Sequence, residues 1–247
     1  MNNVALNKTV TASGYVSPFA ASKAVDGTLT PLGRWLCDAM PCWVQVDLGK
    51  NYYINRWVVK HMGAIQYMGS FRWQSPSYNM IDYTLLGSLD NANFSNLDSV
   101  TSNTANVTDR TMSSFAEARY VRVNVTKGLN INKGVASVAE MEIYGTCAVL
   151  SGFVLRYART VVNPNEQFSP TRFSYTANVP NSAAQVTVTP TALDSGAVIT
   201  VNGQTVTSGQ TSPAINVNVG QNTIPVVVTT DGNDQNTYTI TVTRASS

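Results

Sequence analysis

A chain of 247 residues is long for one hydrophobic core and suits two domains of roughly 100 to 150 residues each. With 43% hydrophobic and 12% charged residues, it can bury sizeable cores and is neither a disordered tail nor a charge-rich helical protein. The formal charge of +2 leaves 16 basic residues scattered singly, which excludes the clustered footprint of a nucleic-acid binder. No apolar run reaches the roughly 18 residues of a membrane helix, and the start, Met1-Asn2-Asn3-Val4, lacks a charged segment followed by an apolar one. The expectation is a soluble piece of a longer parent chain.

Composition splits the sequence. All four tryptophans (Trp35, Trp43, Trp57, Trp73), the single His61 and the three cysteines lie in 1–147, whereas from Ala148 onward there is no Lys, Trp, His or Cys. The expected domains are therefore 1–147 and 148–247. In chain order, apolar residues recur with period two rather than 3.6 in 43–49, 120–125 and 141–145, then in 185–189, 198–201, 224–228 and 238–242. Asn202-Gly203, Asp231-Gly232 and Val219-Gly220-Gln221-Asn222 supply turns between them. Short strands at such spacing predict an all-β chain of two consecutive β-sandwich domains, with Trp43 and Trp57 in the core.

Asn3-Val4-Ala5-Leu6-Asn7-Lys8, Ala24-Val25-Asp26-Gly27, Trp43-Val44-Gln45-Val46-Asp47-Leu48-Gly49, Ala118-Arg119-Tyr120-Val121-Arg122-Val123 and Ala139-Glu140-Met141-Glu142-Ile143-Tyr144-Gly145 follow one another across nearly all of 1–147. In that order they resemble a discoidin-like (coagulation factor type C) domain of the family 32 carbohydrate-binding module type. Leu150-Ser151-Gly152-Phe153, 173–179, Val201-Asn202-Gly203, 220–224 and 237–244 resemble a bacterial cadherin-like β-sandwich. The resemblance implies a discoidin-like jelly-roll sandwich followed by an Ig/cadherin-like one.

Catalysis is not expected. Glycosidases need paired carboxylates across a cleft, and triad hydrolases a base beside a nucleophile. The second half offers only Glu166, Asp194, Asp231 and Asp234, and no histidine. The resemblance implies structural Ca2+ instead, held by oxygen ligands that carry over to Lys23, Asp26, Thr28, Ala139 and Glu140. Thr30 is the candidate for a further ligand, in a loop lengthened before Trp35. The alternative reading makes Asp26 a turn residue and Glu140 an exposed strand residue.

Ligand recognition is expected on loops at one end of the first sandwich. Candidate binding residues are Arg34 and Trp35, then His61 and the polar stretch to Tyr78 with Tyr67, Phe71, Arg72, Trp73 and Gln74, with the Asn103–Arg110 segment as a third loop. An indole stacks on the C–H face of a sugar, and guanidinium, imidazole and amide groups serve its hydroxyls. Trp73 could instead plug the sandwich end, His61 could be a hydrogen-bonded strand-end residue, and Asp109 and Arg110 could pair with each other. Cys37 and Cys42 are close enough to bridge within a loop, the preferred pairing, while Cys147 could reach one of them.

The resulting expectation is a non-catalytic module binding polysaccharide or oligosaccharide, with a β-sandwich spacer, that targets a secreted or cell-surface bacterial protein active in polysaccharide degradation. It would be monomeric, joined to other domains of its parent, with no nucleic-acid partner and no expected membrane partner. The alternative is an adhesion segment binding protein or phospholipid.

Overall fold

The structure, a computed structural model, describes residues 1–65, 76–230 and 234–246. Among these residues there is no α-helix; strands are joined by turns and short 3-10 segments. The chain divides into two compact units, Met1–Gly145 and Thr146–Ser247. Both are all-β sandwiches.

The first unit contains β1 (Asn2–Asn3), β2 (Thr9–Ala12), β3 (Trp35–Cys37), β4 (Cys42–Lys60), β5 (Met80–Ser88), β6 (Ser95–Val100), β7 (Val107–Leu129), β8 (Ala136–Val138) and β9 (Glu140–Thr146). Its main sheet runs β1-β9-β4-β7-β5-β6, with β2 added to β4, and β3 pairs with β8 separately. The long strands β4 and β7 form the spine, antiparallel from Cys42↔Val125 to Lys60↔Val107. Period-two patterning turns Val44, Val46 and Leu48 to the same side as Val121, Val123 and Val125, and all six are fully buried. Each such side chain contributes about 1.5–3 kcal/mol relative to exposure. The register shifts between Asp47 and Tyr52 and between Ile54 and Arg56, irregularities of the kind that bend a ribbon. Beyond the shifts, Ile54, Trp57 and Val59 join the same core.

Trp57 is fully buried, and its indole N–H donates to Asp98 Oδ2 at 3.0 Å. Trp43 does not share that fate. Because Val44 and Val46 take the inner face, alternation puts Trp43 on the outer one, where it is only half-buried. Asp109 and Arg110 are likewise corrected: as consecutive strand residues they diverge, Asp109 pairing with Arg56 (2.8 and 2.7 Å) and Arg110 with Asp98 (2.7 and 2.8 Å). The expected Cys37–Cys42 bridge is not formed: both are buried free thiols, and Cys147 is buried with its Sγ facing Thr230 Oγ1. Burial, with Cys37 alongside, pushes the Cys42 thiol well above its usual range.

The second unit contains β10 (Leu150–Tyr157), β11 (Thr160–Val162), β12 (Ser174–Val179), β13 (Gln185–Ala192), β14 (Val198–Val201), β15 (Gln204–Val206), β16 (Ile215–Asn216), β17 (Gly220–Thr229) and β18 (Gln235–Arg244). Its sheets run β11-β10-β13-β16 and β12-β18-β17-β14-β15, with β12 parallel to β18. The Asn202-Gly203 turn closes β14 on β15 with both residues at positive φ (49° and 80°), as a two-residue hairpin requires. Its aromatics pack inward: Phe153, Phe168 and Tyr175 meet at centroid distances of 5.0 to 5.9 Å, and Tyr175 and Tyr238 are fully buried. Tyr238 OH accepts from Leu150 N–H at 2.9 Å and donates to Pro170 O. Tyr238→Phe should therefore cost about 1–3 kcal/mol, the penalty of leaving buried polar groups unpaired. Thermal unfolding of the second unit's transition checks this, and an unchanged midpoint would refute it.

Candidate functional site

The sequence-predicted loop residues fall into three groups. Tyr67, Phe71, Arg72, Trp73 and Gln74 lie outside the described residues. Trp35 and His61 are taken into the interior. Arg34 is held at its edge.

Trp35 opens β3, pairs in register with Val138 and is fully buried, its indole N–H donating to Gly14 O at 2.9 Å. It is a wall of the core, not a displayed platform. His61 follows β4 and is also fully buried. Its Nδ1 accepts from Met80 N–H at 3.4 Å, which leaves Nε2 as the N–H facing the hydroxyls of Tyr83 and Thr108, each at 3.1 Å. The Tyr83 ring packs edge-on at 5.5 Å. His61 thus ties β4, β5 and β7 together, and of the two sequence readings the hydrogen-bonded one describes it.

The third predicted loop braces the same corner. Asn103 Nδ2 donates to Met80 O at 2.9 Å, Asn79 Nδ2 to Asn106 Oδ1 at 3.0 Å, and Asn79 Oδ1 accepts from Gly63 N–H at 3.2 Å. A Cβ on Gly63 would stand 2.1 Å from Asn106 Oδ1, so this approach needs glycine. Sequence reasoning missed Asn79, whose buried amide sits in a segment without strand periodicity.

Arg34, just before β3, is 8% exposed, with its guanidinium 3.8 Å above the Phe19 ring. Its Nε has no hydrogen-bond partner, and burial lowers its pKa. A buried guanidinium with an open donor normally has a reason. The geometry presses the guanidinium against the Phe19 ring, with Nε enclosed, where chain segments 14–19 and 33–36 meet.

Of the predicted cation ligands, Glu140 reaches the Gly27 N–H next to Asp26. Glu140 is 2% exposed, and both its carboxylate oxygens accept from Gly27 N–H at 3.2 Å. Burial, partly opposed by that N–H and reinforced by the carboxylates of Asp26 and Glu142, pushes its pKa up to about 8. Glu140 is therefore not an exposed strand residue. Asp26 Oδ1 accepts from Thr28 N–H at 3.0 Å and Thr28 Oγ1 at 2.6 Å, while Lys23 Nζ lies 3.3 Å from its Oδ2. The hydroxyls of Thr28 and Thr30 each come within 2.7 Å of where a Cβ on Gly33 would be. Among the described residues no group of three or more His, Cys, Asp or Glu side chains forms a metal cluster. A cation here would take two carboxylates and complete its shell with hydroxyls and carbonyls, such as those of Lys23 and Ala139, an all-oxygen set that fits calcium.

The family model described as a NedA-like, galactose-binding domain of the F5/F8 type C class matches residues 23–123, and the cadherin-like beta sandwich domain model matches 155–245. The chain is an F5/F8 type C domain followed by a cadherin-like domain. The family 32 carbohydrate-binding module of Streptococcus pneumoniae EndoD aligns over 59% of this chain and 100% of its own, at 23% identity and TM-score 0.51, which bears out the discoidin-like fold. Chitosan-binding module 1 from the chitosanase/glucanase of Paenibacillus sp. IK-5 aligns at 29% identity and TM-score 0.48, over 59% of this chain and 100% of that one. The family 32 module of Clostridium perfringens NanJ, solved with galactose, aligns at 20% identity and TM-score 0.44, over 56% and 93%. No curated protein matches the chain.

The state of His61 in this F5/F8 type C domain is testable through pH. Burial holds its pKa down at about 4, whereas an unfolded histidine titrates near 6.5. A lowered folded pKa means the unfolded chain binds the proton first, so the contribution of His61 is full above about 6.5 and falls as pH drops toward 4, by about 3 kcal/mol, while Glu140, raised to about 8, contributes the opposite slope. The melting temperature of His61→Gln relative to the parent should therefore rise as pH falls from 6.5 toward 4; a difference independent of pH would refute the buried neutral imidazole.

Proposed function

We propose that the F5/F8 type C domain is a non-catalytic carbohydrate-binding module that holds a secreted or surface-attached bacterial parent protein on polysaccharide, with the cadherin-like domain as spacer. The observation that carries the reading is the match of residues 23–123 to a galactose-binding domain model, with the Arg34 guanidinium held on the Phe19 ring as a candidate recognition group. Its Nε is enclosed, so sugar hydroxyls would accept from the Nη groups, whose orientation the ring fixes. Arg72 and Trp73 complete the site on the sequence reading. The burial of His61, the domain's single imidazole, supports binding without catalysis. Weak reversible contact is sufficient, since tethering raises the local concentration of whatever the parent carries.

A glycan array followed by calorimetry on the best ligand tests this. Arg34→Ala and Trp73→Ala should each weaken binding roughly tenfold or more, about 1–3 kcal/mol. Arg34→Lys should not restore it, since an ammonium lacks the planar fork. Binding to no glycan, or full affinity in all three variants, would overturn the assignment.

Calcium belongs to the same reading. When bound it would neutralise the buried Glu140 carboxylate and link the 26–34 loop to β9, 113 residues away in sequence, fixing Arg34 without touching sugar. A ligand bound only by the native state stabilises it by mass action, so a chelator should lower the first unit's melting temperature and added calcium restore it. Glu140→Gln should abolish that response. Identical melting curves with chelator and with calcium would exclude the ion.

A further inference from the structure

The outer face of the main sheet carries a second constellation that the loop site does not use. On β4 and β7, Trp43, Gln45 and Arg122 point away from the core, with Gln45 opposite Arg122 in register and Trp43 opposite Asn124. The β5–β6 turn folds over this face. Asp90 builds that turn by accepting from Ser88 Oγ, the N–H groups of Ala92 and Asn93, and Asn93 Nδ2, and Asn91 takes a φ of +63°. The turn delivers Asn91 Oδ1 to Gln45 Nε2 at 2.9 Å and Phe94 to the guanidinium of Arg122.

Arg122 is consequently clamped between two rings, 4.1 Å from the Trp43 centroid and 4.0 Å from that of Phe94. Its Nε and Nη2 donate to Gln45 Oε1 at 3.1 and 2.8 Å. That partner is neutral. The neighbouring carboxylates are engaged elsewhere: Asp47 with Arg119 at 2.8 and 3.0 Å, Asp90 with its own turn. Burial lowers the Arg122 pKa with no carboxylate opposing it. Arg122 Nη1 and the Trp43 indole N–H have no hydrogen-bond partner among the described residues. Among the described residues the fully buried side-chain atoms lacking partners are Arg34 Nε and Asn55 Oδ1, so the two donor groups on this face keep some solvent exposure. A fixed, uncompensated guanidinium edge beside an indole donor is a complement to one anionic group on a ring-shaped, hydroxylated ligand. A polyphosphate or anionic lipid surface would call for several clustered cations, and the basic residues here are dispersed.

We propose that this face is a second carbohydrate-binding surface, specific for acidic glycans, in which Arg122 pairs with a uronate carboxylate and Trp43 donates to the same sugar. It stands independently of the Arg34 site. The test uses the 15N-labelled full chain titrated with oligogalacturonate, oligomannuronate and hyaluronan oligosaccharides, and with the methyl ester of whichever binds. The expected result is a saturable shift of the Trp43 indole resonance, identified through Trp43→Phe, with at least one acidic probe. The ester should bind at least tenfold more weakly, and so should Arg122→Gln toward the acidic form. No movement of the Trp43 resonance with any of the three probes would overturn the surface, a result that needs no variant to fold. Equal affinity for acid and ester would overturn the carboxylate pairing.

Discussion

The β4–β7 ribbon is the constraint on which the first unit depends. Six valine and leucine side chains, alternating on two strands paired from Cys42 to Lys60, fill one side and leave every second position for something else. A one-residue slip of β4 would turn Trp43 and Gln45 into the core, and one of β7 would turn in Arg122, burying an amide or a guanidinium without partners at a cost on the order of several kcal/mol. Register is therefore fixed by what cannot go inside as much as by what does. The fixed register lets the remaining outward positions be built upon: Gln45 faces Arg122, and the β5–β6 turn reaches over to clamp it.

The same logic explains which parts of the molecule were legible in the sequence. Alternation in 43–49 and 120–125 marks the strands, and Asn202-Gly203 marks its hairpin, because both signals are local. Trp43 was misplaced by weighting residue type over position: the valines beside it already claimed the inner face. Asp109 and Arg110 looked like a pair because they are adjacent, yet adjacency in a strand means opposite faces. The burial of Trp35 and His61 was not readable, since it depends on partners 21 and 47 residues away, Gly14 and Thr108. The approach of Glu140 to the 26–28 turn was visible only through family resemblance; nothing local announces that Glu140 meets Gly27 across 113 residues.

Buried polar groups in this domain sort into those that hold it together and those that wait. His61, Asn79 and Asn103 form a connected set whose donors and acceptors meet one another or the backbone, so they rigidify the end of the sandwich from which the loops emerge. Glu140 is different. Its carboxylate receives one backbone N–H and faces another acid, an arrangement that is unfavourable for the anion and that the proposed calcium would relieve.

The arginines show the same division. Arg56, Arg110 and Arg119 each hold a carboxylate in a two-pronged bond on the surface, and that bond raises their pKa values. Pairs so exposed contribute little and need no ligand to explain them. Arg34 and Arg122 go the other way: burial lowers both pKa values, no carboxylate answers either, and each lies within about 4 Å of an aromatic ring. Stacking on rings fixes a guanidinium plane without consuming its N–H edge, which is the part that recognises oxygen. A fold that merely needed positive charge at these positions would have solvated it or paired it. Holding two guanidinium groups rigid, desolvated and incompletely bonded is costly to the folded state, a cost that the proposed oxygen-rich ligands would offset by meeting the N–H groups left accessible.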